Sequence, residues 1–203
     1  MIAPPARNDE ARMTNDEYCR GVRRGERSNS AAFTLIELIV VTAVIVILTG
    51  LVLSTVGYVQ KKGARARAET EIAAMSAACE SYKADNGTYP RNAMTTDTLD
   101  ARGTINMPNY QAASQYLYGQ IAGDPDFDGV PNSNAKSYMQ FKPNMLGTDN
   151  TNKVYPRDPF GNSYGYSTAN HADPTRGYNP TFDLWSTAGL TSGADSTQWI
   201  KNW

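Results

Sequence analysis

Three aspartates at alternate positions indicate a cation-binding loop in the second half of the chain. The segment Asp124–Asn132 reads Asp-Pro-Asp-Phe-Asp-Gly-Val-Pro-Asn. Oxygen-bearing side chains stand at loop positions 1, 3, 5 and 9, with glycine at 6 and a main-chain carbonyl at 7, as in calcium loops that end on a bidentate Glu at 12. Position 12 is Ala135 here. The predicted calcium ligands are Asp124, Asp126, Asp128, Val130 (carbonyl) and Asn132. The alternative is an acidic turn whose Asp and Gly residues serve only the backbone.

Another carboxylate of interest, Glu37, stands at the edge of the most apolar part of the chain. Leu38–Val56 contains nineteen residues without a charge or a proline. That length is sufficient to cross a bilayer as a helix. Glu37 immediately precedes this run, and an unpaired carboxylate in hydrocarbon costs several kcal/mol. Glu37 therefore needs a cationic partner, a functional reason, or a hydrated position at the headgroup level.

Composition and motifs argue against an enzyme and against a nucleic-acid-binding protein. The formal net charge is -1 and the pI is about 5.8, so no broad basic face is expected. The sole histidine, His171, has no ligand partner at helical spacing. No phosphate-binding loop, nucleophile elbow or zinc spacing occurs in the sequence.

One long helix is predicted to carry the apolar run. No proline interrupts residues 33–86, and apolar side chains continue after Gly57 at spacings of four and three residues. These are Ala68, Ile72, Met75, Cys79 and Tyr82. The charged residues between them predict a solvated face, with a pair between Arg67 and Glu71. Asp85-Asn86-Gly87 predicts the helix end near Asn86.

The remaining residues predict a small head. Residues 91–157 are rich in turn formers and are predicted to be mostly loop, with a short helix around Asn109–Gln120. Alternating aromatics near Tyr164 and the segment Phe182–Ser186 predict antiparallel strands. The predicted fold class is α+β, with a membrane half and an amphipathic half of one helix, the latter packed on a small antiparallel-sheet head.

The segment Ala32–Val41 reads Ala-Phe-Thr-Leu-Ile-Glu-Leu-Ile-Val-Val. It resembles the processing site and helix start of type IV pilins and type II secretion pseudopilins. The resemblance implies that a prepilin peptidase cuts between Ala32 and Phe33 and methylates the new amine. In that family the residue before the cut is nearly always Gly, and here it is Ala. Glu37 would then neutralise the Phe33 amine of a neighbouring subunit during assembly.

This resemblance predicts four segments. They are a leader at 1–32, the transmembrane and assembly half of the helix at 33–57, its amphipathic half at 58–86, and a periplasmic head of loops and antiparallel strands at 87–203. Met1 and Met13 both remain open as the start of the leader.

The head motifs resemble the major pseudopilins of type II secretion. The matching segments are Asp85–Pro90, Asp158–Tyr164, Phe182–Ser186 and the closing Asn202-Trp203. In that family, calcium binds after the Phe-Asp-Leu-x-Ser strand. This implies a second calcium site at the Leu184 carbonyl, Ser186 and Asp195, in a loop with few acids here.

The resemblance implies a structural subunit of a periplasmic pseudopilus, held in the inner membrane by a single span. The implied partners are further copies in a filament, the prepilin peptidase, the inner-membrane assembly platform and minor pseudopilins. One alternative is a type IV or minor pilin for adhesion, motility or DNA uptake, which commonly carries a head disulfide. The mature chain would hold Cys79 alone and could not form one. The other alternative is a non-polymerising, membrane-anchored calcium-binding domain.

Overall fold

The computed structural model describes residues 33–103, 106–190 and 196–203. They divide into two units, one ending at Thr49 and one spanning Gly50–Trp203. The elements are α1 (Leu35–Asn86), α2 (Met107–Ala122), a 3-10 turn (Pro143–Met145), β1 (Leu146–Thr148), β2 (Val154–Pro156), β3 (Gly165–Ser167), α3 (Ala169–Ala172), β4 (Asp183–Ser186), a second 3-10 turn (Ser196–Gln198) and β5 (Ile200–Lys201). A long helix followed by small antiparallel sheets confirms the α+β prediction.

Helix α1 is long and apolar enough to cross a membrane. Its predicted end is confirmed. The helix stops at Asn86, and Gly87 adopts φ 77° while its N–H donates to the Lys83 carbonyl at 2.8 Å. Glycine adopts this left-handed conformation readily because it has no Cβ to clash with the backbone.

The second half of α1 supplies one wall of the head's core. The buried residues Ala68, Ile72, Met75 and Cys79 lie on the predicted apolar face. They pack with residues from α2, from the sheet and from the positions just before its strands, namely Leu117, Ile121, Tyr164, Tyr166, Phe182, Leu184 and Ile200. The amphipathic half of the helix is therefore an integral part of the head.

The prediction of a solvated charged face on α1 is wrong at Glu71. The pair with Arg67 forms, with 2.6 Å between Nε and Oε1, but Glu71 is buried rather than solvated. Its Oε2 accepts a hydrogen bond from the Tyr164 hydroxyl at 2.7 Å. Charge spacing predicted the pair but could not reveal a partner ninety-three residues away.

Residues 91–157 hold more regular structure than predicted. The predicted helix is present as α2 and extends by two residues at each end. Pro108 stands in its first turn, and the C-cap Gly123, with φ 75°, follows its last residue Ala122. The antiparallel pair β1–β2 was not predicted, with Leu146 opposite Pro156. Its strands have three residues each, too few for a period-two pattern to stand out.

A three-stranded antiparallel sheet in the order β3-β4-β5 covers the core. Gly165 pairs with Trp185, and Trp185 pairs in turn with Lys201. Trp185 stacks on Trp199 with 5.7 Å between ring centroids and meets Tyr110 edge-on at 5.2 Å. These rings form a second apolar cluster between α2 and the C-terminal strand.

Candidate functional site

The first candidate site is the apolar surface of α1. In the N-terminal half of α1 the large apolar side chains from Leu35 to Val59 are exposed, and most of them have half or more of their surface accessible. Such a continuous apolar surface is not stable in water and requires lipid or other helices around it. Within the described residues Glu37 is the charged side chain on this surface, and it is also exposed.

Thr34 gives Glu37 a structural role that sequence analysis missed. The Glu37 N–H donates to Thr34 Oγ1 at 3.2 Å, and Leu38 N–H donates to the Thr34 carbonyl. Thr34 therefore caps the N-terminus of α1 through its hydroxyl, and the Glu three residues later has the spacing of a capping box. The Thr-x-x-Glu spacing was the available signal.

The predicted processing residues are described in part. Ala32 lies outside the described residues, whereas Phe33 precedes α1 with 79 % of its surface exposed. The structure brings Phe33 and Glu37 of one chain onto the same helix start. Pairing of Glu37 with the amine of a neighbouring copy stays a prediction.

The second candidate site is the loop that follows α2. Gly123 ends the helix in a left-handed conformation, and Asp124 enters the loop fully buried. Its Oδ1 accepts from the N–H of Phe127 at 2.8 Å, and its Oδ2 accepts from the N–H of Gly129 at 2.8 Å. Asp124 thus holds the loop's backbone in place.

Asp124, Asp126 and Asp128 are brought together as predicted. One carboxylate oxygen from each lies within 4.8 Å of the other two, and Asp126 and Asp128 are exposed. Three carboxylates at this separation repel one another, which a divalent cation would relieve. Val130 and Asn132 follow in the same loop, and their part in binding stays a prediction.

Tyr118 of α2 lies beside this loop. Burial raises the pKa of its hydroxyl, and the nearby Asp124 carboxylate raises the pKa further.

The residues of the second predicted calcium set lie in β4 and beyond it. Leu184 is buried, and its carbonyl accepts the Asn202 N–H at 3.2 Å. Ser186 is also buried and donates its hydroxyl to Asp158 Oδ2 at 2.5 Å. Asp195 lies outside the described residues. The two described members are thus engaged in hydrogen bonds of the head, and the set stays a prediction.

Asp158 is a buried carboxylate that sequence analysis did not single out. Besides Ser186, it accepts the N–H of Phe160 at 3.0 Å and of Asn162 at 2.8 Å through Oδ1. Burial raises the pKa of its carboxyl, partly offset by the Ser186 hydroxyl. The Asp-Pro-Phe-Gly-Asn turn was the available signal for this role.

Two family descriptions match the chain. The family described as type II secretion system, protein G, matches residues 55–129. The prokaryotic N-terminal methylation motif matches residues 27–53. A relative in Pseudomonas aeruginosa, the type II secretion system core protein G, is 28 % identical over 180 residues. That alignment covers 88 % of this chain and 98 % of the relative.

Proposed function

We propose that this chain, which belongs to the type II secretion protein G family of major pseudopilins, is a structural subunit of a periplasmic pseudopilus. It polymerises through α1, and growth of the filament drives protein export. The exposed apolar surface of α1, bearing the single carboxylate of Glu37, carries this proposal. The family is one of structural secretion components, and we assign the chain no catalytic role.

The proposed maturation begins at the start of α1. A prepilin peptidase cuts between Ala32 and Phe33 and methylates the Phe33 amine, as supported by the methylation motif at residues 27–53. The freed amine is a cation, and Glu37 of the adjacent subunit neutralises it. Both charges are thereby removed from lipid, where an isolated ion is costly.

The proposed location is the inner membrane, with the head in the periplasm, and after assembly the subunit is part of a periplasmic filament. The single span is supported by the apolar half of α1. The proposed partners are other copies of this chain, an inner-membrane assembly platform and minor pseudopilins. A type IV pilin role is not favoured by the relatives found.

The assembly proposal is tested by Glu37→Ala in a secreting strain. We expect filaments and export of cargo to be lost while the subunit still accumulates in the membrane. Glu69→Ala is the matched control, because Glu69 is an exposed carboxylate of the same helix outside the apolar run. Normal filaments with Glu37→Ala would overturn the proposal.

Processing is tested separately by mass spectrometry of the chain taken from native membranes. The expected N-terminus is N-methyl-Phe33. We further expect Ala32→Gly to increase the processed fraction, because glycine is the usual family residue at that position. An intact leader in both variants would contradict the proposed maturation.

We also propose that the loop after α2 binds calcium through Asp124, Asp126 and Asp128. The carboxylate grouping supports the proposal. Calcium should raise the melting temperature of the chain, and Asp126→Asn should remove that shift. Glu69→Gln removes one exposed charge elsewhere and should leave the shift unchanged. If the parent chain shows neither a heat of calcium binding nor a change in melting temperature, calcium has no role here.

A further inference from the structure

A cluster of cations follows the apolar part of α1 and is not used by the proposed assembly. Lys61, Lys62, Arg65 and Arg67 come before the next acid, Glu69. Arg67 pairs with Glu71, but no carboxylate among the described residues lies within 4.0 Å of the charged nitrogens of Lys61, Lys62 or Arg65. These three cations therefore have no ion-pair partner within the described residues and are available to an anion from outside the chain.

The three cations share one face of the helix with an aromatic side chain. Tyr58, Lys61, Lys62 and Arg65 stand at i, i+3, i+4 and i+7, so they point to the same side. They line a surface hollow of about 470 Å³ together with Ala66 and Glu69. Tyr58 is 70 % exposed, and both lysines are exposed.

This cationic face continues the helix stripe that enters the core. Lys61 and Arg65 precede Ala68, Ile72 and Met75 at the same alternation of four and three residues. Arg65 Nη1 donates to the Gln198 carbonyl at 3.0 Å, so the stripe here reaches the margin of the head. Towards the membrane, the apolar positions covered by the head are thus followed on this stripe by cations that pair with no carboxylate of the described part of the head.

The position of these cations along the chain indicates which anion they would meet. Residues 38–60 carry no charge and exceed the roughly 20 residues that a bilayer requires. Lys61 therefore falls where the headgroups begin, and tyrosine is enriched at that level. We infer that Tyr58, Lys61, Lys62 and Arg65 bind the phosphate of an anionic phospholipid in the leaflet on the head's side of the membrane.

This site fixes the depth of the unassembled subunit in the membrane. Lysine and arginine stems lie along apolar surface while their charged ends reach the headgroups. The inference depends on the membrane anchor and not on polymerisation, so it can fail while the proposed function holds.

The test uses the full-length chain in phosphatidylcholine nanodiscs containing spin-labelled lipid. Electron spin resonance measures how strongly the chain immobilises labelled phosphatidylglycerol relative to labelled phosphatidylcholine. We expect the parent to prefer phosphatidylglycerol, and Lys61→Gln/Lys62→Gln to lower that preference by about threefold or more. The leader arginines are unchanged in every variant, so their contribution cancels.

Lys142→Gln/Lys153→Gln removes the same charge from exposed sites of the head and should leave the preference unchanged. Equal losses in the two double variants, or no preference in the parent, would overturn the inference. A preference that excess inorganic phosphate abolishes would show an ion site without lipid selectivity. A preference seen only when several chains share a nanodisc would assign the cations to a neighbouring copy, and either result rejects the lipid site.

Discussion

At the scale of single residues, two buried carboxylates hold the head together in different ways. Glu71 combines a guanidinium from its own helix with the hydroxyl of Tyr164. Asp158 has no ion-pair partner among the described residues and depends on the Ser186 hydroxyl and on backbone N–H groups. A carboxyl that is buried among neutral donors is easier to protonate than one in water, as the raised pKa of Asp158 indicates.

Tyr164→Phe tests the link between α1 and the sheet. Removing the hydroxyl leaves the buried Glu71 with one fewer donor, so we expect a loss of about 1–3 kcal/mol in the free energy of unfolding. Urea unfolding of the chain in detergent measures it. Tyr178→Phe is the control, since the Tyr178 hydroxyl makes no hydrogen bond within the described residues, and an equal loss there would contradict the assignment.

Asp158→Asn tests the pH dependence of stability. Because burial raises the pKa of Asp158 above its ordinary 3.8, the folded state binds this proton more tightly than the unfolded state. The stabilisation is complete below 3.8 and is lost as pH rises through the folded pKa. The asparagine variant lacks that loss. Its free energy of unfolding should therefore increase relative to that of the parent as the pH rises from 4 to 7.

Asp173→Asn provides a control of opposite sign. The N–H and hydroxyl of Thr175 lower the pKa of this exposed carboxyl, so its stabilisation is present above 3.8 and is lost as pH falls. The free energy of unfolding of that variant should therefore decrease relative to that of the parent as the pH rises. Parallel pH profiles for the two variants would refute both pKa directions.

At the scale of elements, Gly165 allows the Trp185 indole of β4 to pack directly against β3. A Cβ at this position would overlap the indole of Trp185 on the neighbouring strand. We expect Gly165→Ala to cost about 1–3 kcal/mol of unfolding free energy by overpacking. Thermal unfolding followed by tryptophan fluorescence measures it.

Gly63→Ala should act in the opposite direction. Gly63 lies in exposed helix, and an added Cβ would meet nothing within 4 Å. Alanine is favoured over glycine in a helix interior by up to about 1 kcal/mol. If both alanine variants destabilise equally, the close approach at Gly165 is not the cause.

The elements also show what sequence could and could not predict. Helix α1, its end at Asn86 and strand β4 followed from periodicity and turn residues. The strands β1 and β2 are too short for a periodic pattern to show, and the burial of Glu71 depends on Tyr164, a partner distant in sequence. For the candidate site, spacing brought Asp124, Asp126 and Asp128 to one loop, but not the full burial of Asp124.

At the scale of the whole molecule, the head and the helix share one core. A fragment starting at residue 58 keeps Ala68, Ile72, Met75 and Cys79, whereas one starting at residue 87 loses this wall of the core. We expect cooperative unfolding for 58–203 and none for 87–203, measured by circular dichroism. Cooperative unfolding of the shorter fragment would show that the head is independent of α1.

The continuity of α1 has a mechanical consequence. Within the unit Gly50–Trp203, α1 runs without a break from the apolar turns at Leu51 to Val56 into the turns that pack in the head. A force applied to α1 at Val56 would therefore reach the packing contacts of Ile72 and Met75 through continuous helix. In the proposed filament, the force that a subunit could transmit would then be limited by the packing of its own core.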